Sequence, residues 1–373
     1  MFLALKEMTR AKARFGLLIA AIGLLVFLIL FQQSLQNGLL TSFVGAIRNQ
    51  SAPVLVYTVD GQRVVQGSVI TPDLEQQVGG LSDVASIGRI GQGTFSVTAG
   101  DGSLSETTIW GFEDASLGAP DNIVEGRLAQ SGGEAVASEA DADLGFDLGD
   151  TVLVEPGGLE LTVVGLARDS QLNAGPTLFV LYDTYVQSVQ SANPDAGEPL
   201  PNVLAMAPRG GLDADGLVEQ VNALSDDLDA LTKNDAADQT PGVAQVRQSF
   251  AVIFLLYGLV IPCIVGLFFL IVTLQKSPSL TLLRAIGAPG KRLVSALLTQ
   301  AVIIVAAGFA LGVLMYTPLS QQRLGGIALR FETPAVVFWG VLLLVLGLGS
   351  SLLSARRVLA IDPIEATTGG ANR

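Results

Sequence analysis

The stretch FGLLIAAIGLLVFLILFQ, residues Phe15–Gln32, carries no charged side chain and is almost wholly apolar. A helix needs roughly 20 apolar residues to cross the ~30 Å hydrocarbon core of a bilayer, so this stretch predicts a membrane span. It is long for a cleaved signal peptide, and residues 32–38 contain no small-x-small cleavage pattern. We therefore expect a membrane protein with a helix near its N-terminus.

Three further uncharged stretches lie in the last third of the chain, each flanked by charged residues. Their apolar cores are Phe250–Leu274, Leu293–Tyr316 and Pro334–Ser354. The alternative, buried helices of a soluble protein, becomes hard to sustain with four such runs. The pattern predicts four transmembrane helices, one before and three after a long polar segment.

Lysine and arginine mark the predicted cytoplasmic ends of these spans, because such residues accumulate on the cytoplasmic side of a membrane. They precede the first span, fill the loop between the second and third, and follow the fourth. The protein is thus expected in the plasma or inner membrane, with both termini in the cytoplasm. The predicted order is a cytoplasmic N-terminal segment (1–14), first span (15–35), outside domain (36–247), second span (249–275), cytoplasmic loop (276–292), third span (293–316), short outside loop (317–333), fourth span (334–354) and cytoplasmic tail (355–373). The N-terminal segment mixes apolar and basic residues, which suits a helix lying on membrane lipids.

The outside domain is strongly acidic. It holds 30 of the 34 acids but 8 of the 21 bases, a net charge of −22 against −13 for the whole chain. A nucleic-acid-binding protein usually carries a basic surface, so nucleic acid is not an expected partner.

The outside domain is predicted to be mixed α+β. Short β-rich runs separated by glycine and proline turns recur along it at Val54–Tyr57, Thr107–Gly111, Thr151–Val154, Leu161–Val164, Leu178–Leu181 and Val203–Met206. By contrast, Leu217–Leu231 has apolar residues at helical spacing and predicts one helix. Loops are expected at Gln171–Pro176 and Ser191–Pro201.

The sequence shows no recognisable catalytic constellation: acidic residues are plentiful, but no pair has a distinctive spacing. The chain has no histidine, which removes histidine-bearing triads and metal sites. Its one cysteine, Cys263, falls in the second span and permits no intrachain disulfide. Gly290-Lys291 lacks the glycine and the Ser or Thr of a phosphate-binding loop. We expect a non-catalytic chain without a metal or intrinsic cofactor.

The predicted cytoplasmic loop, Lys276–Arg292, reads KSPSLTLLRAIGAPGKR. Pro278 and Pro289 bracket Ser279–Ala288, which predicts a separate short helix after a serine-rich cap. Such a helix between two spans would lie along the membrane surface and face a docking partner.

Here the sequence resembles a known family. Residues 282–288, LLRAIGA, are similar to an element of the MacB/FtsX-type ABC-transporter permeases, and Ile361–Ala366, IDPIEA, resembles their ending. In the outside domain Glu134–Ala137, Leu148–Val152 and Thr162–Gly165 are similar to the periplasmic core domain of that family. The acid usual ahead of the cytoplasmic element is replaced by Ser279.

Within the family, the chain looks most like the HrtB/DevC branch. The segments that carry this likeness are Leu3–Met8, Thr273–Lys276, Leu293–Gln300 and the ending followed by Gly369-Gly370. HrtB-type permeases export haem with a separate ATPase, and DevC-type ones export glycolipid-like or other amphipathic cargo.

The resemblance implies a homodimer of this chain with two copies of an ABC ATPase, which binds ATP and Mg²⁺. The coupling residues it implies are Leu282, Leu283, Arg284, Ala285, Ile286, Gly287, Asp362 and Pro363. Leu282 and Ile286 are four apart and share a helical face. Arg284 would pair with an acid of the ATPase or with lipid phosphate, or would serve as a positive anchor of the span.

If the cargo is haem, its iron must be coordinated by a residue other than histidine, since the chain has none. Candidate ligands near the outer span ends are Glu332, Met315, Tyr316 and Tyr257, with Glu332 first because it is the acid beside an outer span end. Phe31, Phe250, Phe254 and Tyr257 are candidates to line a shared apolar cavity, with core packing or lipid contact as their default role. For Glu332 the ordinary alternative is pairing with Arg330 or anchoring the fourth span.

Two other functions stay open within the family. One is an FtsX-like mechanotransmitter that controls an external cell-wall hydrolase; the other is a permease that exports lipoproteins or glycolipids. Gly308 and Gly312 in the third span form a small-xxx-small pair, which we expect to pack spans within one subunit.

Overall fold

The computed structural model describes residues 12–285, 289–324, 327–329 and 331–359. The chain divides into two compact units. The membrane unit comprises Met1–Gln36, Ser249–Gln322 and Leu329–Arg373, and the sheet domain comprises Asn37–Gln248 with Arg323–Ala328.

The regular elements are numbered along the chain. The α-helices are α1 (Lys12–Arg48), α2 (Pro72–Gly79), α3 (Tyr182–Ala192), α4 (Ala214–Asn222), α5 (Lys233–Gln239), α6 (Val243–Ala285), α7 (Gly290–Tyr316) and α8 (Thr333–Leu359). The strands are β1 (Val54–Thr58), β2 (Val84–Thr98), β3 (Leu104–Phe112), β4 (Ile123–Gly126), β5 (Glu134–Ser138), β6 (Thr151–Val154), β7 (Leu159–Ala167), β8 (Thr177–Leu181), β9 (Val203–Pro208), β10 (Leu228–Thr232), β11 (Arg323–Leu324) and β12 (Ile327–Ala328). Short 3₁₀ helices cover Val59–Gly61, Val65–Gly67, Glu139–Leu144 and Leu319–Gln321.

Among the described residues, three helices are long and apolar enough to cross a membrane, and the stretches concerned are Phe15–Arg48, Val243–Ile261 and Val294–Tyr316. They correspond to the first three predicted spans. In α8, the apolar part among the described residues is Thr333–Gly349, which is shorter. Helix α1 continues well past the predicted end of its span, to Arg48.

Helix α6 runs without interruption from Val243 to Ala285. The predicted break at Pro278, with a separate short helix after it, is therefore wrong. A proline inside a helix removes one backbone hydrogen bond and crowds the preceding turn. Propagating an existing helix nevertheless costs less than nucleating a new one, and the long helix continues past Pro278 to Ala285.

The membrane unit is held by close contact between α1 and α7. A Cβ atom placed on Gly308 would lie 2.6 Å from Ile22 Cγ2, and one on Gly312 would lie 2.5 Å from Val26 Cβ. These two glycines let the helix axes approach, which is how small residues stabilise helix pairs in a bilayer. The expectation that Gly308 and Gly312 pack spans within one subunit is confirmed.

The sheet domain is built on one mixed sheet with the strand order β10-β1-β9-β2-β3-β8-β5-β7-β4, and β6 pairs with β2 and β7. Most neighbours are antiparallel, whereas β3 pairs with β8, and β5 with β7, in parallel. The six predicted strand runs all lie within observed strands, so the mixed α+β prediction for this domain is confirmed.

Three hydrophobic clusters fill the sheet domain. One packs α2 and α4 on β1, β9 and β10, and it includes Val56, Leu204 and Leu217. A second lies among β3, β5, β6, β7 and β8 with α3. The third, which we call the helix-end core, joins residues near the end of α1 and the start of α6 to the sheet, with Trp110 and Phe112 fully buried in it.

One predicted helix of the sheet domain is wrong. The run Leu217–Leu231 is not a single helix: α4 ends at Asn222, and β10 starts at Leu228. Leu217 and Val221 are buried on α4, as the helical spacing predicted. After a turn, Leu228 and Ala230 alternate inward from a strand. The apolar spacing across the turn imitated a continued helix.

Candidate functional sites

The predicted coupling motif stands at the junction of α6 and α7. The part that the structure describes forms the last turn of α6, namely Leu282, Leu283, Arg284 and Ala285. Four other predicted coupling residues lie outside the described residues, namely Ile286, Gly287, Asp362 and Pro363. Pro289 is extended and precedes the first turn of α7. Docking of an ATPase at this junction stays a prediction.

An aromatic cluster lies where α6 meets α8 in the membrane unit. Phe250, Phe254 and Tyr257 follow the spacing i, i+4, i+7 and so share one face of α6. Their ring centroids lie 6.5 Å apart for Phe250 and Phe254 and 6.3 Å apart for Phe254 and Tyr257. Trp339 of α8 closes the cluster, with its ring 5.6 Å from that of Phe254. Sequence reasoning missed Trp339, because only the fold brings α8 against this face.

A second group of candidate residues lies at the junctions of α7 and α8. Tyr316 ends α7 and is 1% exposed, its ring is stacked 6.3 Å from that of Phe331, and its hydroxyl shares a hydrogen bond with Ser34. Glu332 follows Phe331 and is half-buried at the start of α8. Met315 is 43% exposed.

Phe31 packs against the core of the membrane unit, and its ring is stacked 6.2 Å from that of Phe27, a residue that the sequence did not single out. Most of the candidate aromatic residues therefore also serve in packing. Among the proposed iron ligands, burial makes Tyr316 the least accessible, whereas Glu332, Met315 and Tyr257 keep part of their surface. The described residues contain no group of three or more His, Cys, Asp and Glu side chains that would hold a metal ion.

Asp238 in α5 is a further residue of interest that sequence reasoning missed. Its carboxylate accepts hydrogen bonds from Arg48, the last residue of α1, and from Arg247 in the first turns of α6, the latter at 2.5 Å. Burial by itself would raise the pKa of Asp238, but the hydrogen bonds and charges of Arg247 and Arg48 outweigh it and hold the pKa below its usual value. Asp238 is thus ionised at neutral pH and bridges two helix ends. Nothing in the sequence joined either arginine to Asp238.

Glu134 opens the first of the family-like motifs in the sheet domain. Its carboxylate oxygens accept hydrogen bonds from both terminal nitrogens of Arg127, at 2.7 and 2.5 Å, and from the backbone N–H of Gln130 at 2.9 Å. These bonds lower the pKa of Glu134 from 4.5 to about 2. The largest contribution comes from the hydrogen bond with Arg127, followed by that from the N–H of Gln130. This motif therefore serves to fasten β5 to the segment after β4.

Glu134 gives the sheet domain a predicted acid sensitivity. Its pKa is depressed on folding, so its contribution to stability is present above pH 4.5 and is lost as the pH falls toward 2. We expect Glu134→Gln to unfold at a lower temperature than the unmodified chain at pH 7. The difference between the two unfolding temperatures, measured on the full chain in detergent, should narrow steadily as the pH falls below 4.5. A gap that stays constant down to pH 2 would contradict this role of Glu134.

Comparison with known proteins gives the family setting. No protein-family model matches the chain. An uncharacterized ABC transporter permease of Mycobacterium tuberculosis is 24% identical over 375 residues, which cover 99% of this chain and 99% of that protein. A Staphylococcus epidermidis protein named as a putative hemin transport system permease protein, HrtB, is 22% identical over 370 residues, which cover 99% of this chain and 100% of that protein. The curated homologues are ABC transporter permeases.

The predicted resemblance to ABC-transporter permeases, HrtB among them, is thereby confirmed, and the matches extend over both units of the chain. Among solved structures, the periplasmic region of MacB from Actinobacillus actinomycetemcomitans matches with a TM-score of 0.37 and 15% identity, over 50% of this chain and 92% of that one. The extracellular domain of the ABC-type transporter YknZ from Gram-positive bacteria matches with a TM-score of 0.34 and 11% identity, over 48% of this chain and 99% of that one.

Proposed function

We propose that this chain is the permease subunit of an ABC-type exporter that moves an amphipathic or hydrophobic substrate out of the membrane. The observation that carries the proposal is similarity to ABC transporter permeases over 99% of the chain. ATP would be hydrolysed by a separate subunit, because this sequence lacks a phosphate-binding loop. The turn between α6 and α7 would dock that subunit.

The proposed arrangement in the membrane has four crossings and both termini in the cytoplasm. Helix α8 would be the fourth crossing, with the sheet domain outside the cell or in the periplasm. Its support is the charge asymmetry, since basic residues gather at the proposed cytoplasmic ends while the outside segment carries a net charge of −22. The acidic outside surface would keep that domain soluble.

The working assembly would be a homodimer of this chain with two ATPase subunits. Support comes from α6, where 6% of the most apolar stretch is buried within the chain, against 39% in α1 and 35% in α7. Large apolar side chains are exposed along it, including Val252, Leu255, Leu256, Leu259, Val260 and Leu267. Lipid would cover part of this surface and a second copy the rest. ATP binding would then move the α6–α7 turns and swing α1 and α6 against those of the partner.

Haem is the cargo that we propose first. One relative carries hemin transport in its name, and the membrane unit offers an aromatic cluster of the kind that packs against a flat macrocycle. Glu332 remains the first choice of iron ligand, because it is half-buried beside Phe331 and Tyr316. A carboxylate is a weaker haem ligand than histidine, which suits a cargo that has to be released.

The experiment uses the purified chain together with its ATPase in lipid. We expect haem to stimulate ATP turnover and to produce a haem absorbance band. Glu332→Ala should weaken haem binding by about tenfold, the loss of an interaction worth ~1.4 kcal/mol. Glu106→Ala, which removes an exposed carboxylate of the sheet domain, is the matched control and should leave the band unchanged.

The outcomes separate cargo from function. Absence of both the band and the stimulation would rule out haem while leaving the exporter proposal in place. An unchanged band in Glu332→Ala would remove Glu332 as the ligand. If the chain purified with a cell-wall hydrolase and no cargo stimulated its ATPase, the mechanotransmitter function would replace the exporter.

A further inference from the structure

The helix-end core brings two helices that start or end far apart in the sequence into one hydrophobic cluster. Val44 and Ile47, near the end of α1, are buried in the same cluster as Ala237 of α5 and Val243 at the start of α6. All four side chains are 2% exposed or less. The last turn of α1 and the first turn of α6 are therefore parts of the folded sheet domain.

The last turn of α1 exchanges helical hydrogen bonds for bonds to a loop. Val44 has non-helical backbone angles, φ −133° and ψ 16°. In a regular helix the N–H of Ala46 would bond to the carbonyl of Ser42, but here it donates to the carbonyl of Gln171 at 2.9 Å. The freed carbonyl of Ser42 accepts instead from the N–H of Ala174 at 2.8 Å. This end of α1 is therefore bonded to the sheet domain at the kink.

A side chain at Gly45 would prevent this arrangement. A Cβ atom placed on Gly45 would lie 2.3 Å from the carbonyl oxygen of Asp169, a backbone atom that cannot rotate away. The Nδ2 atom of Asn49 donates to that same carbonyl at 2.7 Å. The loop from Asp169 to Ala174 thus follows the outer end of α1 closely.

Asp238 connects this fastened end of α1 to the start of α6. Its carboxylate serves Arg48 and Arg247 at once, and the three side chains are between 35% and 39% exposed. A single exposed ion pair contributes little to stability, typically about 0.2–1 kcal/mol. One carboxylate shared by two arginines differs from two separate pairs, because removing either arginine changes the strength of the interaction between the carboxylate and the other.

We propose that Asp238 is a positioning residue that couples the outer end of α1 to the start of α6, so that loosening one helix end loosens the other. The proposal goes beyond the proposed function, since it requires neither an ATPase nor a cargo. In an exporter, such a bridge would make the two helices transmit motion to the sheet domain together.

The test is hydrogen exchange measured by mass spectrometry on the full chain in lipid. Arg247→Gln removes the α6 arm, and we expect it to raise exchange at Ala46–Asn49 of α1 by about two- to fivefold, the range of one partly exposed ion pair. Arg48→Gln should in turn raise exchange at residues 236–246, because coupling between two sites is reciprocal. Asp238→Asn should raise both, and Asp238→Glu should restore most of the protection.

The matched control is Glu75→Gln, which breaks the ion pair between Glu75 and Arg89 elsewhere in the sheet domain, at 2.8 Å. It should change neither α1 nor α6. If Arg247→Gln raises exchange only in its own helix, with Ala46–Asn49 as in the control, the coupling role of Asp238 is overturned. The two arginine variants keep the test decisive even if Asp238→Asn fails to fold.

Discussion

Replacing Gly312 by valine is expected to force α1 and α7 apart and to lower the thermal stability of the membrane unit. The Cβ atom alone would lie 2.5 Å from Val26 Cβ and 2.6 Å from the backbone oxygen of Gly23. A backbone atom has no rotamer by which to move away, so the two helices would have to separate. Inserting extra methyl groups into a packed core costs about 1–3 kcal/mol even where side chains can yield.

The loss should be large because close packing is the main attraction between helices in a bilayer, where lipid is as apolar as leucine. We expect the thermal unfolding midpoint of purified Gly312→Val in detergent to fall by about 5 °C, since each kcal/mol shifts the midpoint of a domain of about 150–250 residues by roughly 2–4 °C. Gly258→Val is the matched control on α6, because a Cβ there meets no atom within 4 Å. If both variants lose stability equally, the cause is helix propensity and the α1–α7 contact is not responsible.

The sequence was sufficient for features that repeat with a physical period. Charged residues bounded the spans because a bilayer excludes them over a fixed thickness. Strand runs such as Thr151–Val154 were recognisable because β-branched residues and turn signals coincide there. Gly308 and Gly312 predicted close packing of spans, and the structure shows that their partners are Ile22 and Val26 of α1.

The features that the sequence could not give depend on residues distant along the chain. Leu228 continues the helical spacing of Leu217 and Val221, and only its pairing with Thr58 of β1 makes it part of a strand. Trp339 joins the aromatic face of α6 through the folding of α8 against it. Asp238 lies 190 residues from Arg48, so no local pattern relates them.

Pro278 illustrates a different limit. Proline is a strong signal for a helix end in water, where the lost hydrogen bond and the steric clash cost roughly 3 kcal/mol or more. In a helix that is already long, continuing past the proline avoids nucleating a second helix, and α6 continues to Ala285. The described part of the predicted coupling motif, residues 282–285, is therefore the end of the same helix, and in the proposed exporter a push on that turn would be transmitted along α6.

Replacing Leu282 by aspartate is expected to abolish cargo-stimulated ATP turnover in the complex of this chain with its ATPase. Leu282 lies in the last turn of α6, where the proposed docking surface begins. If Leu282 docks in a groove of the ATPase as proposed, the variant would place a carboxylate there, and burying an unpaired charge costs several kcal/mol. Each ~1.4 kcal/mol is tenfold in affinity, so docking should weaken by about a hundredfold or more. The measurement is ATP turnover with and without cargo, together with co-purification of the ATPase.

Ser279→Asp is the control that separates docking from the mere addition of charge. It places the same carboxylate one turn earlier in α6, at a position where the resemblance to the MacB/FtsX-type permeases implies an acid. We expect this variant to keep the ATPase bound and stimulated. Loss of coupling in both variants would mean that any negative charge disturbs this end of α6. Retention of coupling in Leu282→Asp would move the docking surface away from the α6–α7 turn, and the ATPase would then have to engage the permease through another cytoplasmic segment.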